Sequence, residues 1–264
     1  MQRLIDNTSD VLPTVKKILG RDCPHYQRIL EAAVQEVPPV WLRSEYLDFF
    51  WHCATTIPNW LPTVLLACAR TEGNGSHGLL KMWAGVRNHE KAEVGLLRHA
   101  KDESGHARLF IKLASLCFPR SYSPGTIEQS EQSIVPIERD SIAKSCDVIQ
   151  LNMLIDYMMQ LNIVEMRTLH HLKIMAPMYY ELCPTENREK VRRILESLER
   201  DESRHIAYTA EIIDEWYEKE NDDIGRLTDV FICRLVGYNQ HTLDHCDDAK
   251  NDYGQGRYLS LFAH

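Results

Sequence analysis

Four long stretches of this chain repeat apolar side chains at i, i+3, i+4 and i+7, and almost none alternates apolar with polar. That spacing gives each helix a single apolar stripe, so the fold must bury stripe against stripe. The stretches run over about 58–86, 89–117, 146–175 and 186–218. In the first the stripe includes Leu61, Val64, Leu65, Cys68, Leu79, Met82 and Val86; in the fourth it includes Val191, Leu195, Leu198, Ile212 and Trp216, with Thr209 a small polar member. The expected fold class is all-α: a four-helix bundle in one domain over 1–264, with core helices at 58–218. Shorter flanking helices are expected at 24–37, 40–55 and 226–247.

The connections order the bundle. Only Arg87 and Asn88 separate the first two helices, which imposes an antiparallel hairpin, and a short link at 177–185 does the same for the other two. Between the hairpins lies 119–141, rich in Ser, Pro, Gly and Glu. About twenty extended residues reach roughly 66 Å, the length of a bundle, so this segment is expected to be a long crossover. The glycines at 73, 75 and 78 threaten the first helix, because each costs about 1 kcal/mol against alanine.

Charge and composition narrow the function classes. A net charge of −8 argues against a nucleic-acid partner, which needs a concentrated basic face. No run approaches about eighteen apolar residues, so no membrane span is expected. The opening residues carry Asp6 and no apolar run, unlike a secretory leader. The eight cysteines are scattered without a C-x-x-C pair, which suits free thiols in a reducing cytoplasm.

The chemistry is carried by a repeat. Lys101-Asp102-Glu103-Ser104-Gly105-His106 and Arg200-Asp201-Glu202-Ser203-Arg204-His205 share the pattern basic-D-E-S-x-H, 99 residues apart, each in the middle of a helix. Residues i and i+3 share a helix face, so a carboxylate and an imidazole there can grip one metal ion. A buried ionised carboxylate demands a cation or hydrogen-bonding partners. Two ions held in a four-helix bundle need one further carboxylate from each remaining helix. Glu72 and Glu103 are symmetric about position 87.5, and Glu165 and Glu202 about 183.5, so each pair falls at one height in its hairpin. The competing reading of Glu72 is a solvated residue ending a shorter helix. Asp102 and Asp201 are expected behind the ligands, accepting an imidazole N–H; their alternative is a solvated acid.

This paired D-E-x-x-H pattern, with a glutamate on each other helix, resembles the ferritin-like non-haem di-iron carboxylate oxidases and oxygenases. The resemblance covers about 58–218. It implies Glu72, Glu103, His106, Glu165, Glu202 and His205 as metal ligands, two iron ions per chain (or a manganese–iron pair), bridging carboxylates, and dioxygen as co-substrate. Departures narrow the choice. Where radical-storing ribonucleotide reductase subunits carry tyrosine, this chain has Phe110. Where the p-aminobenzoate N-oxygenase type carries a seventh, histidine ligand, it has Leu198, while His99 stands four residues before Glu103 instead. His99 is therefore a candidate extra ligand, its alternative being a polar core residue. Gly75, Phe110 and Tyr208 are candidate pocket residues, with Gly75 and Gly78 opening space for substrate or dioxygen. Surface or supporting roles are expected for His77, His170 and His171, and core roles for most of the large aromatics.

The function expected is oxygenation or oxidation of a small organic substrate, by N-oxygenation of an amine or hydroxylation of carbon. The two electrons are expected from a ferredoxin or flavoprotein, or from the substrate, and a homodimer is compatible with the flanking helices. The rival readings are a ferroxidase without organic substrate, a metal-free helical scaffold and a tRNA-modifying hydroxylase.

Overall fold

A computed structural model describes residues 7–86, 89–134, 147–219 and 222–254. Those residues form α-helices and short 3₁₀ turns, with no strand among them. The helices are α1 (Asn7–Leu19), α2 (Pro24–Glu36), α3 (Ser44–Thr56), α4 (Trp60–Gly85), α5 (Glu90–Cys117), α6 (Thr126–Ser133), α7 (Leu151–Leu182), α8 (Arg188–Lys219) and α9 (Ile224–Gly254). None of the described helices is long and apolar enough to cross a membrane.

Helices α4, α5, α7 and α8 are the four expected stretches, with three differences. First, α4 runs unbroken through Gly73, Gly75 and Gly78, so Glu72 is an interior residue and is buried, not a solvated terminus. Second, α7 continues through Pro177 to Leu182, beyond the expected end. A proline inside a helix forfeits one i→i−4 bond but does not oblige the chain to stop. Third, the crossover contains a helix: α6 starts after Gly125, whose φ of 84° suits glycine alone. The expected turn residues Arg87 and Asn88, the crossover residues 135–141 and the expected helix start at Cys146 lie outside the described residues. Among the flanking helices, α1 was not anticipated, and the expected 40–55 helix divides into a 3₁₀ turn at Val40–Leu42 and α3.

The chain divides into two compact units. One comprises Met1–Asp48, Ile149–Lys173 and Glu199–Cys246. Its core includes Tyr26, Ile29, Leu30, Trp41 and Phe231, all under 3% exposed. Asp214 of α8 accepts the backbone N–H of His25 at 2.8 Å and of Tyr26 at 3.1 Å, capping α2, which has no side-chain cap of its own. Arg21 then holds Asp214 at 3.2 Å, along with Glu211 and Glu215. The antiparallel pairing of α7 and α8 is fixed where Asn162 Nδ2 donates to the carbonyl of Ile206 at 3.2 Å and to Thr209 Oγ1 at 2.9 Å.

The other unit comprises Phe49–Val148, Ile174–Leu198 and Asp247–His264. Here α4 and α5 pack side by side, and Ser76 Oγ donates to the carbonyl of Ala100 at 2.7 Å. Ser76 and Ala100 are symmetric about residue 88, as antiparallel packing of α4 against α5 requires. Leu65, Leu80, Leu96, Ile111 and Leu113 fill the interior, and Trp60 meets the edges of Phe49 and Phe50. The end of α5 is tied to the α7–α8 link by Asn187 Nδ2, which donates to the carbonyl of Leu116 at 3.1 Å.

Candidate metal centre

The two repeated motifs occupy mid-helix turns of α5 and α8, where i,i+3 spacing stacks donors along one face. On α5, His106 Nδ1 lies 3.4 Å from Glu103 Oε1, and Glu72 Oε2 of α4 is 3.8 Å from the same nitrogen. On α8, His205 Nδ1 lies 3.3 Å from Glu202 Oε2, and Glu165 Oε2 of α7 is 3.8 Å from it. The two hairpins therefore repeat one small geometry: a histidine, the glutamate three residues before it, and the glutamate of the neighbouring helix. All six residues are buried, from 8% exposed for Glu72 down to 1% for His106, Glu202 and His205.

His99 is the seventh member. It is 1% exposed, and its Nε2 lies 3.4 Å from Glu103 Oε1. The seven side chains form two groups, in each of which one donor atom per residue lies within 4.8 Å of all the others. One group is His99, Glu103, Glu165 and His205; the other is Glu72, Glu103, His106 and Glu202. Glu103 belongs to both. The first group offers two nitrogens and two carboxylates, the second one nitrogen and three carboxylates.

Donors bound at about 2.0–2.2 Å to one ion, at right angles, stand about 3 Å apart. The observed 3.3–3.8 Å separations are close to that. Charge could fit as well, since four carboxylates, once deprotonated by bound metal, would carry −4, the complement of two divalent cations. Burial by itself pushes the Glu103 carboxyl up, but hydrogen bonds from Glu72, His106 and His99 offset it and hold the group well below the ordinary carboxylate range. An ionised, shared carboxylate is what a bridging position requires.

The remaining expected residues fall around this cluster. Asp102 and Asp201 are half-buried. Asp201 Oδ1 accepts from Arg204 Nη1 at 2.7 Å, an ion pair along α8. Phe110 is buried one turn beyond His106, and Tyr208 is half-buried on α8. Gly75 does not open onto a void: a Cβ there would meet Glu103 Oε2 at 3.4 Å. His170 is a core residue, 4% exposed, and burial followed by the Lys173 charge pushes it down to about 4. His77 is half-buried, with Nδ1 3.0 Å from the carbonyl of Gly73.

Two supporting residues were not expected from the sequence. Asn162, fully buried on α7 one turn before Glu165, receives the Tyr26 hydroxyl at 2.9 Å and reaches Thr209. Thr209 Oγ1 donates to the carbonyl of His205 at 2.8 Å, so the chain of bonds ends on a histidine of the cluster. Ser76 is the other, pinning α4 to α5 one turn beyond Glu72. The available signal was a polar residue on an apolar stripe one turn from a candidate ligand.

Comparison with protein-family models, with curated proteins and with solved structures gave no match.

Proposed function

We propose that the chain is a ferritin-like carboxylate protein that holds two metal ions among Glu72, His99, Glu103, His106, Glu165, Glu202 and His205. More particularly, it is an oxygen-activating di-iron oxygenase or oxidase acting on a small organic molecule. The single observation that carries the reading is Glu103, common to two four-residue donor groups. The antiparallel pairings of α4 with α5 and of α7 with α8 support the ferritin-like arrangement.

A pair of ferrous ions, when bound, supplies the electrons and open coordination positions for reducing dioxygen. The residues do the rest. Four carboxylates would neutralise the ions, and Glu103 would be available to both positions. Three imidazoles would complete the set, two of them in one group, so the two positions are chemically unequal. Ser76 and the Tyr26–Asn162–Thr209 chain hold the ligand-bearing turns in place. Further electrons come from a ferredoxin or flavoprotein, or from the substrate.

The test is anaerobic loading with ferrous iron, metal analysis after desalting, and oxygen uptake against amines and amino acids. Two irons per chain with substrate-dependent uptake is expected. Hundreds of irons per assembly would favour a ferroxidase, two metals of which one is manganese a mixed centre, and no retained metal a plain scaffold.

A further inference from the structure

Beside α4 lies a cavity of about 330 Å³, walled by α4 and α6 and lined by none of the seven donors. At about 30 Å³ per water it holds roughly eleven waters, or a molecule of about ten non-hydrogen atoms. Its α4 side presents Arg70, Asn74 and His77; its α6 side presents Gln129, Ser130 and Ser133. Leu66 and Ala69 supply apolar floor, and Gly73 leaves the middle of the α4 wall open, with nothing within 4 Å of where its Cβ would be.

The lining has a decided sign. The chain carries 38 acidic residues against 30 basic ones, yet among the described residues no Asp or Glu lines this cavity. Glu128 and Glu131 of α6 are exposed and are not part of its lining. Among the described residues the one full charge on the wall is the guanidinium of Arg70, for which no ion pair is found there. A guanidinium with its fork unspent matches a carboxylate bidentately. The far end differs. His77 Nδ1 lies against the carbonyl of Gly73, which can only accept, so Nδ1 carries the proton. In that tautomer Nε2 of His77, which lines the far end of the cavity, is left as an acceptor. Seven residues of helix separate Arg70 from His77, a rise of about 10 Å.

We propose that the α4–α6 cavity is a binding site for a small organic carboxylate with a hydrogen-bond donor at its far end, its carboxylate held by Arg70. The site stands on the neighbouring face of α4 from Glu72 and does not depend on the di-metal reading. Asn74, Gln129 and the two serines offer neutral polar contacts along the ligand, and Leu66 and Ala69 take its methylenes.

Calorimetric titration of the metal-free full chain tests this with hexanoate, 6-aminohexanoate, hexanamide and inorganic phosphate. The two carboxylates are expected to bind, 6-aminohexanoate more tightly, and hexanamide at least tenfold more weakly than hexanoate. Arg70→Gln, at an exposed position, should weaken carboxylate binding at least tenfold with an unchanged thermal midpoint. Gly73→Leu should abolish it by filling the cavity while leaving the helix content intact. Equal binding of hexanoate and hexanamide, no binding of any probe, or an unaffected Arg70→Gln variant would overturn the proposal. Phosphate binding as tightly as hexanoate would overturn the organic class in favour of a simple anion site.

Discussion

Gly75 of α4 stands so close to Glu103 of α5 that a Cβ on the glycine would lie 3.4 Å from the carboxylate Oε2. The missing side chain is thus matched to the glutamate common to both donor groups. Glycine in a helix interior gives up about 1 kcal/mol against alanine, and here the Glu103 carboxylate leaves room for a methyl group but not for a larger side chain.

Substitution at Gly75 should therefore split by size. Gly75→Ala adds one ordinary van der Waals contact and improves helix propensity, so the thermal midpoint should rise and metal content stay the same. Gly75→Leu should drive the Glu103 carboxylate out of place and empty both metal positions. Metal analysis beside thermal unfolding reads both. A leucine variant with its full metal complement would show that Glu103 is not confined by α4.

Sharing also separates the ligands from one another. Glu103→Ala removes a donor from both groups and should leave less than one ion per chain after dialysis. Glu165→Ala and His99→Ala each take a donor from one group only, so about one ion should remain tightly held. His99→Ala is the sharper measurement, since loss of neither ion would reduce His99 to a hydrogen-bond partner of Glu103.

The levels of these residues could be read from the sequence for a geometric reason. Antiparallel helices of equal rise bring residues symmetric about their turn to the same height, so the positions of Glu103 and Glu202 point back to Glu72 and Glu165. The grouping could not be read. That His99 falls with Glu165 and His205, and not with its own helix neighbour His106, depends on side-chain rotamers and on helices distant in sequence. Helix α6 has no sequence signature because its only large apolar residue is Ile127, which leaves no stripe. Pro177 misled in the other direction: proline forbids one hydrogen bond, and a 32-residue helix with buried residues on both sides of it absorbs the loss.

The Tyr26–Asn162–Thr209 chain should be worth measurable stability. Asn162→Ala leaves the fully buried Tyr26 hydroxyl with only the weak acceptor Met166 Sδ at 4.0 Å, and an unsatisfied buried polar group costs about 1–3 kcal/mol. Tyr26→Phe leaves the amide oxygen of Asn162 in the same position. Because both changes break one bond, the double variant Tyr26→Phe/Asn162→Ala should lose less than the sum of the two. Urea unfolding of the four chains closes this cycle, and strict additivity would mean that the two residues act separately.

The last expectation concerns acid. His170 in α7 is buried and pushed down to about 4, first by burial and then by the Lys173 charge, against a raising hydrogen bond at the Trp41 backbone. In the unfolded chain the same imidazole takes up its proton near pH 6.5. Between about pH 6.5 and 4 the unfolded state therefore holds the extra proton, and stability falls as pH falls, by up to about 1.4 kcal/mol per pH unit for this one group. Above pH 6.5 both states are neutral there and His170 contributes no slope. Half-buried His171, pushed down to about 3 by burial and by Arg167, His245 and His170, steepens the loss in the same direction. Urea unfolding with a chelator present, at intervals from pH 7.5 to 5, should give a curve flatter for His170→Gln than for the parent chain below pH 6.5 and parallel to it above. Parallel curves throughout would mean that His170 takes up its proton equally in the folded and unfolded chain, contrary to its burial.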